Sequence, residues 1–468
     1  MIKSKIAIVK ENTPRDAINK GLELLGGISK FIEKDDSLFI KINLNYPLAY
    51  PANVNLETLR AIIEACIEFG IKKILVGSFP IKGFSWERMD SFFGYKELFE
   101  DLNVDFIDLS HSDNLKEISL ENFEEPIKIP EEILNSSKLI IVNQVNVHPL
   151  FDFSSSILNL YSIISPEYQK IIKQEKKGKD YLFLDQYKKD LAKKILDVYE
   201  IKKPILVIND LFNLIEKAGP ISFKNSKIKK TNIMILGNDS VAVDALTLKL
   251  FGLDPMNNEL LFSAMERDLG NINVDKMEIV GLQLNENTLK IKSCDKDLEN
   301  LKVHNTFLRK GRYCSGCYEK AFYLLNFMNT YLFKDLKYIK KQWFLIGENP
   351  DEPEDNTNVI LFGDCACNTT KTYNFRKTVH LKKVVPIKAR FLKLFKKKIE
   401  IKEITKEIIH DNKKILELQG CPPNFFDCLA SLIKYYRKNN MPNLNFIQKT
   451  IELLTQQKEK NDNRGSFK

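Results

Sequence analysis

The chain has 468 residues, 44% hydrophobic and 28% charged, an ordinary globular balance with length for two or three domains. No apolar run is long enough to span a bilayer, and Met1-Ile2-Lys3-Ser4-Lys5 runs straight into strand-like Ile6-Ala7-Ile8-Val9, without a signal-peptide pattern, so a cytoplasmic location is expected. The net charge of +9 is spread along a lysine-rich chain and does not point to nucleic acid.

Residues 1–295 alternate strand and helix patterns. Short, apolar, often β-branched runs at 5–10, 38–44, 73–77, 105–109, 138–145, 205–209 and 232–237 read as buried parallel strands. Between the second and third, Asn55-Leu56-Glu57 opens a helix with apolar spacing that runs to Phe69 and stops at Gly70. Cys66 falls on its apolar face and is expected in the core. This alternation predicts an α/β fold with a doubly wound, mostly parallel sheet. The lysine-rich segment 166–203 reads as a helical insertion or lid.

Residues 300–450 read as a smaller, cysteine-rich α/β domain, and 451–468 as a polar tail. Three apolar runs there end in glycine: Trp343-Phe344-Leu345-Ile346-Gly347, Val359-Ile360-Leu361-Phe362-Gly363 and Ile415-Leu416-Glu417-Leu418-Gln419-Gly420. Two of the three lead almost at once into cysteine, which predicts Cys365 and Cys421 at one edge of a small sheet. Between the last two runs lies a dense basic segment, Lys388 to Lys398. It reads as the solvated face of an amphipathic helix, or as a docking face for an acidic partner or a membrane surface.

Six of the eight cysteines fall in this last third: Cys314-Ser315-Gly316-Cys317, Cys365-Ala366-Cys367, and Cys421-Pro422-Pro423 with Cys428. In a reducing compartment such grouping favours metal binding over disulfides. Cys314 and Cys317 precede an apolar helix expected over 321–333, and Cys421 precedes one over 424–436. Helix N-termini stabilise thiolate charge, and cysteine before proline is a common setting for a cluster ligand. The expected group is a [4Fe–4S] cluster on Cys314, Cys317, Cys365 and Cys421. Structural zinc is the alternative, although zinc sites usually bring two Cys-x-x-Cys pairs and one is present here. Cys428 is expected in the core. Cys367 competes with Cys365, because residues two apart on an extended segment face the same way. Cys294, His304, His380 and His410 have no convergent partners in the sequence.

No Walker A loop and no Gly-x-Gly-x-x-Gly after a strand is present. Polar residues recur instead near the carboxyl ends of predicted strands: Lys41 and Asn43, His148, Asp210, and Asp239 with Asp244. Taken singly they read as caps and strand-edge groups. Together, Lys41, His148, Asp210, Asp239 and Asp244 form the expected catalytic pocket, suited to binding a small anionic substrate and moving protons.

The order of these residues resembles the domain of unknown function 362 family over about residues 1–285. Phe39-Ile40-Lys41-Ile42-Asn43, His148 with Ile157-Leu158-Asn159 downstream, and Asp210 with Gly219-Pro220 carry the likeness. So do Asn238-Asp239-Ser240-Val241-Ala242-Val243-Asp244-Ala245 and Phe251-Gly252-Leu253-Asp254-Pro255. Members of that family are often joined to ferredoxin-like cluster domains, so the resemblance implies redox chemistry without naming a substrate. The chain departs from the family pattern at Asn146 and Leu158, where lysines are expected, and at Ile42, where proline is. Gly420-Cys421-Pro422-Pro423 is similar to the cluster-binding string of hydrogenase small subunits. The resulting expectation is an iron–sulfur oxidoreductase or electron-transfer component serving the first-domain pocket or a redox partner protein. A non-enzymatic binding or scaffold protein with structural zinc is the alternative.

Overall fold

The computed structural model describes residues 4–45, 48–80, 85–165, 168, 185–283, 289–337, 341–355, 358–376 and 415–438. The basic run from Lys388, the polar tail, His380 and His410 lie outside them. The fold is α/β and divides into two compact units. Among the described residues the first comprises 4–301 and 314–331, and the second 302–313 and 332–438.

The first unit is built on β1 (Lys5–Lys10), β2 (Ser37–Ile42), β3 (Lys73–Ser78), β4 (Asp105–Asp108), β5 (Lys138–Gln144), β6 (Leu206–Asp210), β7 (Ile233–Gly237) and β8 (Glu278–Gly281). They form one sheet in the order β8-β1-β7-β6-β5-β2-β3-β4. The seven expected strands are present, with ends shifted by one or two residues. All pairings are parallel except those of β7, which runs antiparallel to both β1 and β6. β2 leads through α2 (Leu56–Phe69) to β3, whereas β5 leads through α3 (Ser156–Tyr161) and α4 (Gln186–Ile201) to β6 on its other side. The connections therefore diverge between β2 and β5.

Alternation along the strands divides the sheet faces. Leu38, Ile40, Ile42, Ile140, Val142, Leu206 and Ile208 face the core formed with α2 and the preceding helix Pro14–Leu25. Each such buried aliphatic side chain contributes about 1.5–3 kcal/mol. Cys66 is fully buried in this core. The Asn55 side chain accepts from Glu57 N to start α2, and Gly70, at φ 112°, ends it where a side chain would be strained. On the other face lie α3, α4 and α5 (Ser240–Leu250). The described part of the expected polar lid is α4, and its Leu191, Ala192, Ile195, Leu196 and Val198 are buried. It is a core helix: Lys189 and Lys193 are exposed, while Lys194 is buried with its Nζ over the Phe123 ring.

α6 (Ser315–Tyr331) belongs to the first unit, a correction to the boundary expected near residue 300. Its Tyr318 hydroxyl donates to Asp295 O, Asn329 Nδ2 donates to Leu301 O, and Thr330 Oγ1 accepts from Lys224 N. Gly316 packs so closely on the Tyr187 ring that a Cβ would lie 2.7 Å from it.

The second unit has four parallel strands in sequence order: β9 (Thr306–Lys310), β10 (Gln342–Ile346), β11 (Asn358–Phe362) and β12 (Ile415–Leu418). The three glycine-terminated runs are β10 to β12. Gly347, Gly363 and Gly420 take φ of 88°, 87° and 126°, so glycine is what lets the chain turn sharply off each strand. α7 (Gly363–Thr369) follows β11 directly, and α8 (Phe425–Lys438) follows β12. Among the described residues no helix is long and apolar enough to cross a membrane.

Candidate functional site

Lys41 occupies the β2 face opposite α2 and is fully buried. Its Nζ donates to Ile42 O at 2.7 Å and to Asn159 Oδ1 at 2.9 Å. Burial, with no compensating carboxylate, lowers its pKa to about 7. Asn159 lies on α3, and the start of α3 is held by Asp244. The Asp244 carboxylate accepts from Ser156 N at 3.0 Å, Ser156 Oγ at 3.0 Å, Ile157 N at 3.1 Å and Asn209 Nδ2 at 2.9 Å. Burial raises its pKa to about 6 in spite of these donors. Lys41 and Asp244 thus share one face, joined through α3. Asn159 and Asn209 are the links; Asn159 belongs to the string that carries the family resemblance, whereas Asn209 gave no signal of its own in the sequence.

The other three residues fall elsewhere, which corrects the expectation that five converge. Asp210 shares the face of Leu206 and Ile208, opposite to Lys41. It accepts from Thr58 Oγ1 on α2 at 2.5 Å and from Phe212 N at 2.7 Å, and burial raises its pKa to about 6. Asp239 is at the opposite edge of the sheet from Asp210. Because β7 is reversed, Gly237 pairs with Val207 at the beginning of β6 while Asp210 pairs with Met234. Asp239 caps α5 through Ala242 N at 3.1 Å and accepts from Ser4 Oγ at 2.7 Å.

His148 sits in a short hairpin, Val147–His148 paired with Asp152–Phe153. Its Nδ1 accepts from Leu150 N at 3.2 Å and Phe151 N at 3.4 Å, which assigns the proton of the neutral ring to Nε2. Nε2 lies 3.3 Å from the Tyr323 hydroxyl and 3.8 Å from Glu319 Oε1, both on α6. Burial lowers its pKa to about 4, with Glu319 opposing. Asn146, where the family resemblance expects lysine, spends both ends of its amide on backbone: Nδ2 donates to Pro51 O and Oδ1 accepts from Ile215 N.

The thiols separate into two kinds. α6 begins at Ser315, six residues earlier than expected, so Cys314 immediately precedes the helix and Cys317 lies in its first turn. A hydrogen bond with the Cys317 thiol and the N–H groups of Gly316 and Cys317 lower the Cys314 pKa against the opposing effect of burial. In the second unit, Asp364 N donates to Gly420 O at 3.1 Å and Gly420 N to Asp364 Oδ1 at 2.8 Å. The residues that follow these two, Cys365 and Cys421, are half-buried. Cys367 and Cys428 are buried, and burial pushes each thiol up to about 12. The segment carrying Cys365 and Cys367 is helical, contrary to expectation. Residues two apart on a helix point to different sides, so Cys367 enters the core beside Trp343 and Leu361 while Cys365 does not. Cys428 lies in the first turn of α8. Cys294 is buried and pushed up to about 12, and His304 is exposed.

Among the described residues no three His, Cys, Asp or Glu side chains are grouped to hold a metal ion. The donor chemistry fits a thiolate-bound centre only in halves. Cys314 and Cys317 come from the first unit, Cys365 and Cys421 from the second.

No curated protein matches the chain. Among solved structures, the lactate racemase apoprotein from Thermoanaerobacterium thermosaccharolyticum is similar at 14% identity and a TM-score of 0.32, over 49% of this chain and 54% of that one. The match thus spans about half the length of that chain. A family model described as a domain of unknown function (DUF362) matches residues 38–249, which run from β2 through α5 and include Lys41, His148, Asp210, Asp239 and Asp244. Over residues 38–249 the chain is therefore similar to the DUF362 family.

Proposed function

We propose that this chain is an iron–sulfur protein, an electron-transfer component or an oxidoreductase, with Cys314, Cys317, Cys365 and Cys421 as ligands of one [4Fe–4S] cluster. The observation that carries the reading is the division of the six clustered thiols. Cys314, Cys317, Cys367 and Cys428 are all buried, but burial raises the pKa of Cys367 and Cys428, so these two resist forming the thiolate that iron requires. Cys365 and Cys421 are half-buried at the ends of adjacent strands, and Cys314 is held toward thiolate at a helix start. In the sequence each pair follows a strand of the small sheet: Cys314 comes four residues after β9, Cys365 three after β11, and Cys421 three after β12.

Such a cluster would take up and release single electrons. The other end of that transfer would be a redox partner protein or a small anionic substrate. In the first unit Lys41 is the group suited to protons: with a pKa near neutrality, its Nζ can hold or release one without a large change in pH. Anaerobically purified protein should show broad visible absorbance that bleaches on reduction with dithionite and returns on oxidation. A colourless protein with bound zinc would support the scaffold reading in its place.

A further inference from the structure

On the α2 face, the carboxyl edge of the large sheet carries a polar group that neither Lys41 nor the thiols use. It lies beside the place where the connections of β2 and β5 diverge, the position at which open α/β sheets bind ligands. Gln144 ends β5 and pairs in register with Asp210 at the end of β6, which puts both side chains on the same face. Gln144 is fully buried. Its Nε2 donates to Asn213 O at 2.8 Å and to Val145 O at 3.3 Å, which fixes the amide so that Oε1 is the outstanding acceptor. That Oε1 is buried and has no hydrogen-bond partner. An acceptor left this way bears the whole cost of its lost hydration.

The neighbouring Asp210 is as deeply buried. Thr58 Oγ1, Phe212 N and the Asn55 side chain donate to it, and among the described residues no lysine or arginine pairs with it. The Tyr50 hydroxyl, which accepts from Asn213 N at 3.0 Å and Asn213 Nδ2 at 3.1 Å, adds another oxygen to the group. Acceptors are thus gathered around one uncompensated negative charge.

We propose that this edge binds the ammonium group of a small organic amine, with Gln144 Oε1 and the Asp210 carboxylate as its acceptors. An anion would meet Asp210 with like charge. A neutral hydroxyl or amide would satisfy Gln144 but leave the carboxylate unbalanced. A hard metal cation takes six or more oxygens, more than Gln144 Oε1, the Asp210 carboxylate and the Tyr50 hydroxyl supply. An ammonium supplies both the positive charge and N–H donors. This inference goes beyond the redox reading and does not depend on it, because binding can be measured whether or not the protein holds iron.

A ligand that binds only the folded protein raises Tm by mass action. The test follows thermal unfolding of the full chain in methylammonium chloride, with tetramethylammonium chloride and potassium chloride at matched ionic strength. Tetramethylammonium has the same charge without an N–H. Methylammonium should raise Tm with concentration beyond both other salts, and the excess should vanish in Gln144→Leu and Asp210→Asn but persist in the surface variant Glu23→Gln. If neither site variant folds, saturation transfer from the wild-type protein to the methyl protons of methylammonium, with tetramethylammonium as control, decides the question. Equal Tm responses to the three salts, equal saturation transfer to the two amines, or a methylammonium effect undiminished in Gln144→Leu overturns the proposal.

Discussion

Lys41 in the first unit and Cys365 in the second each stand near the carboxyl end of a parallel strand, yet their surroundings differ. Lys41 points back into the layer between sheet and α3, where Asn159 and Ile42 O take its hydrogen bonds. Cys365 comes after a glycine turn, in the first turn of α7, and keeps part of its surface open. A strand end thus does not by itself make a reactive site. The side of the strand, and whether a turn carries the side chain clear of the layer, decide whether the group anchors structure or meets a ligand.

The sharpest way to break this contrast is to remove the thiols one at a time. Cys314→Ser, Cys317→Ser, Cys365→Ser and Cys421→Ser should each cost most of the bound iron, measured as iron per chain after anaerobic purification. Cys367→Ser and Cys428→Ser should keep it. Loss of iron in Cys367→Ser with retention in Cys365→Ser would reverse the assignment made from the helical turn.

On the other side of the contrast stand the buried polar groups, whose removal should be felt as stability. Asp244→Ala leaves four donors without their acceptor and should destabilise by about 3 kcal/mol or more, read from denaturant unfolding of the iron-free protein. Cys365→Ser should change the same measurement by less than about 0.5 kcal/mol, as substitutions away from buried features do.

The pH dependence of stability separates Lys41 from an ordinary surface lysine. Its folded-state pKa is lowered from 10.5 to about 7, so the unfolded chain binds more protons between those values. The penalty for burying the amine is therefore full below about 7 and fades as pH rises toward 10.5. Wild-type protein should gain stability relative to Lys41→Met over that window, and the difference should be flat below it. A difference independent of pH would mean that Lys41 is solvated in solution.

A smaller effect is expected from thiol labelling of iron-free protein. Cys365 and Cys421 should alkylate first under native conditions. Cys66, Cys294, Cys367 and Cys428, all buried with pKa values pushed up to about 12, should react only on unfolding. Mass spectrometry of the labelled peptides gives the order.

The strands were largely legible because a buried strand shows itself as an apolar run whichever way it points. Direction was not legible for the same reason. β7 has the pattern of its parallel neighbours but runs against β6, and this alone carries Asp239 away from Asp210. Face was the second loss. Lys41 and Asp210 both close buried strands, but alternation puts them on opposite sides of the sheet, a difference visible only once neighbouring strands are in register. β9 was missed because its residues are only partly buried, so no apolar run marks it. The glycines after β10, β11 and β12 were readable because a turn at positive φ selects glycine. The sequence favours Cys365 over Cys367 because it follows Gly363-Asp364 at the strand end, and the helical turn adds the reason that Cys367 enters the core.

The central claim is tested most directly by quantifying iron, acid-labile sulfide and zinc in the protein purified without oxygen. The account predicts iron and sulfide in equal amounts, with zinc negligible. Stoichiometric zinc with neither iron nor sulfide would contradict it.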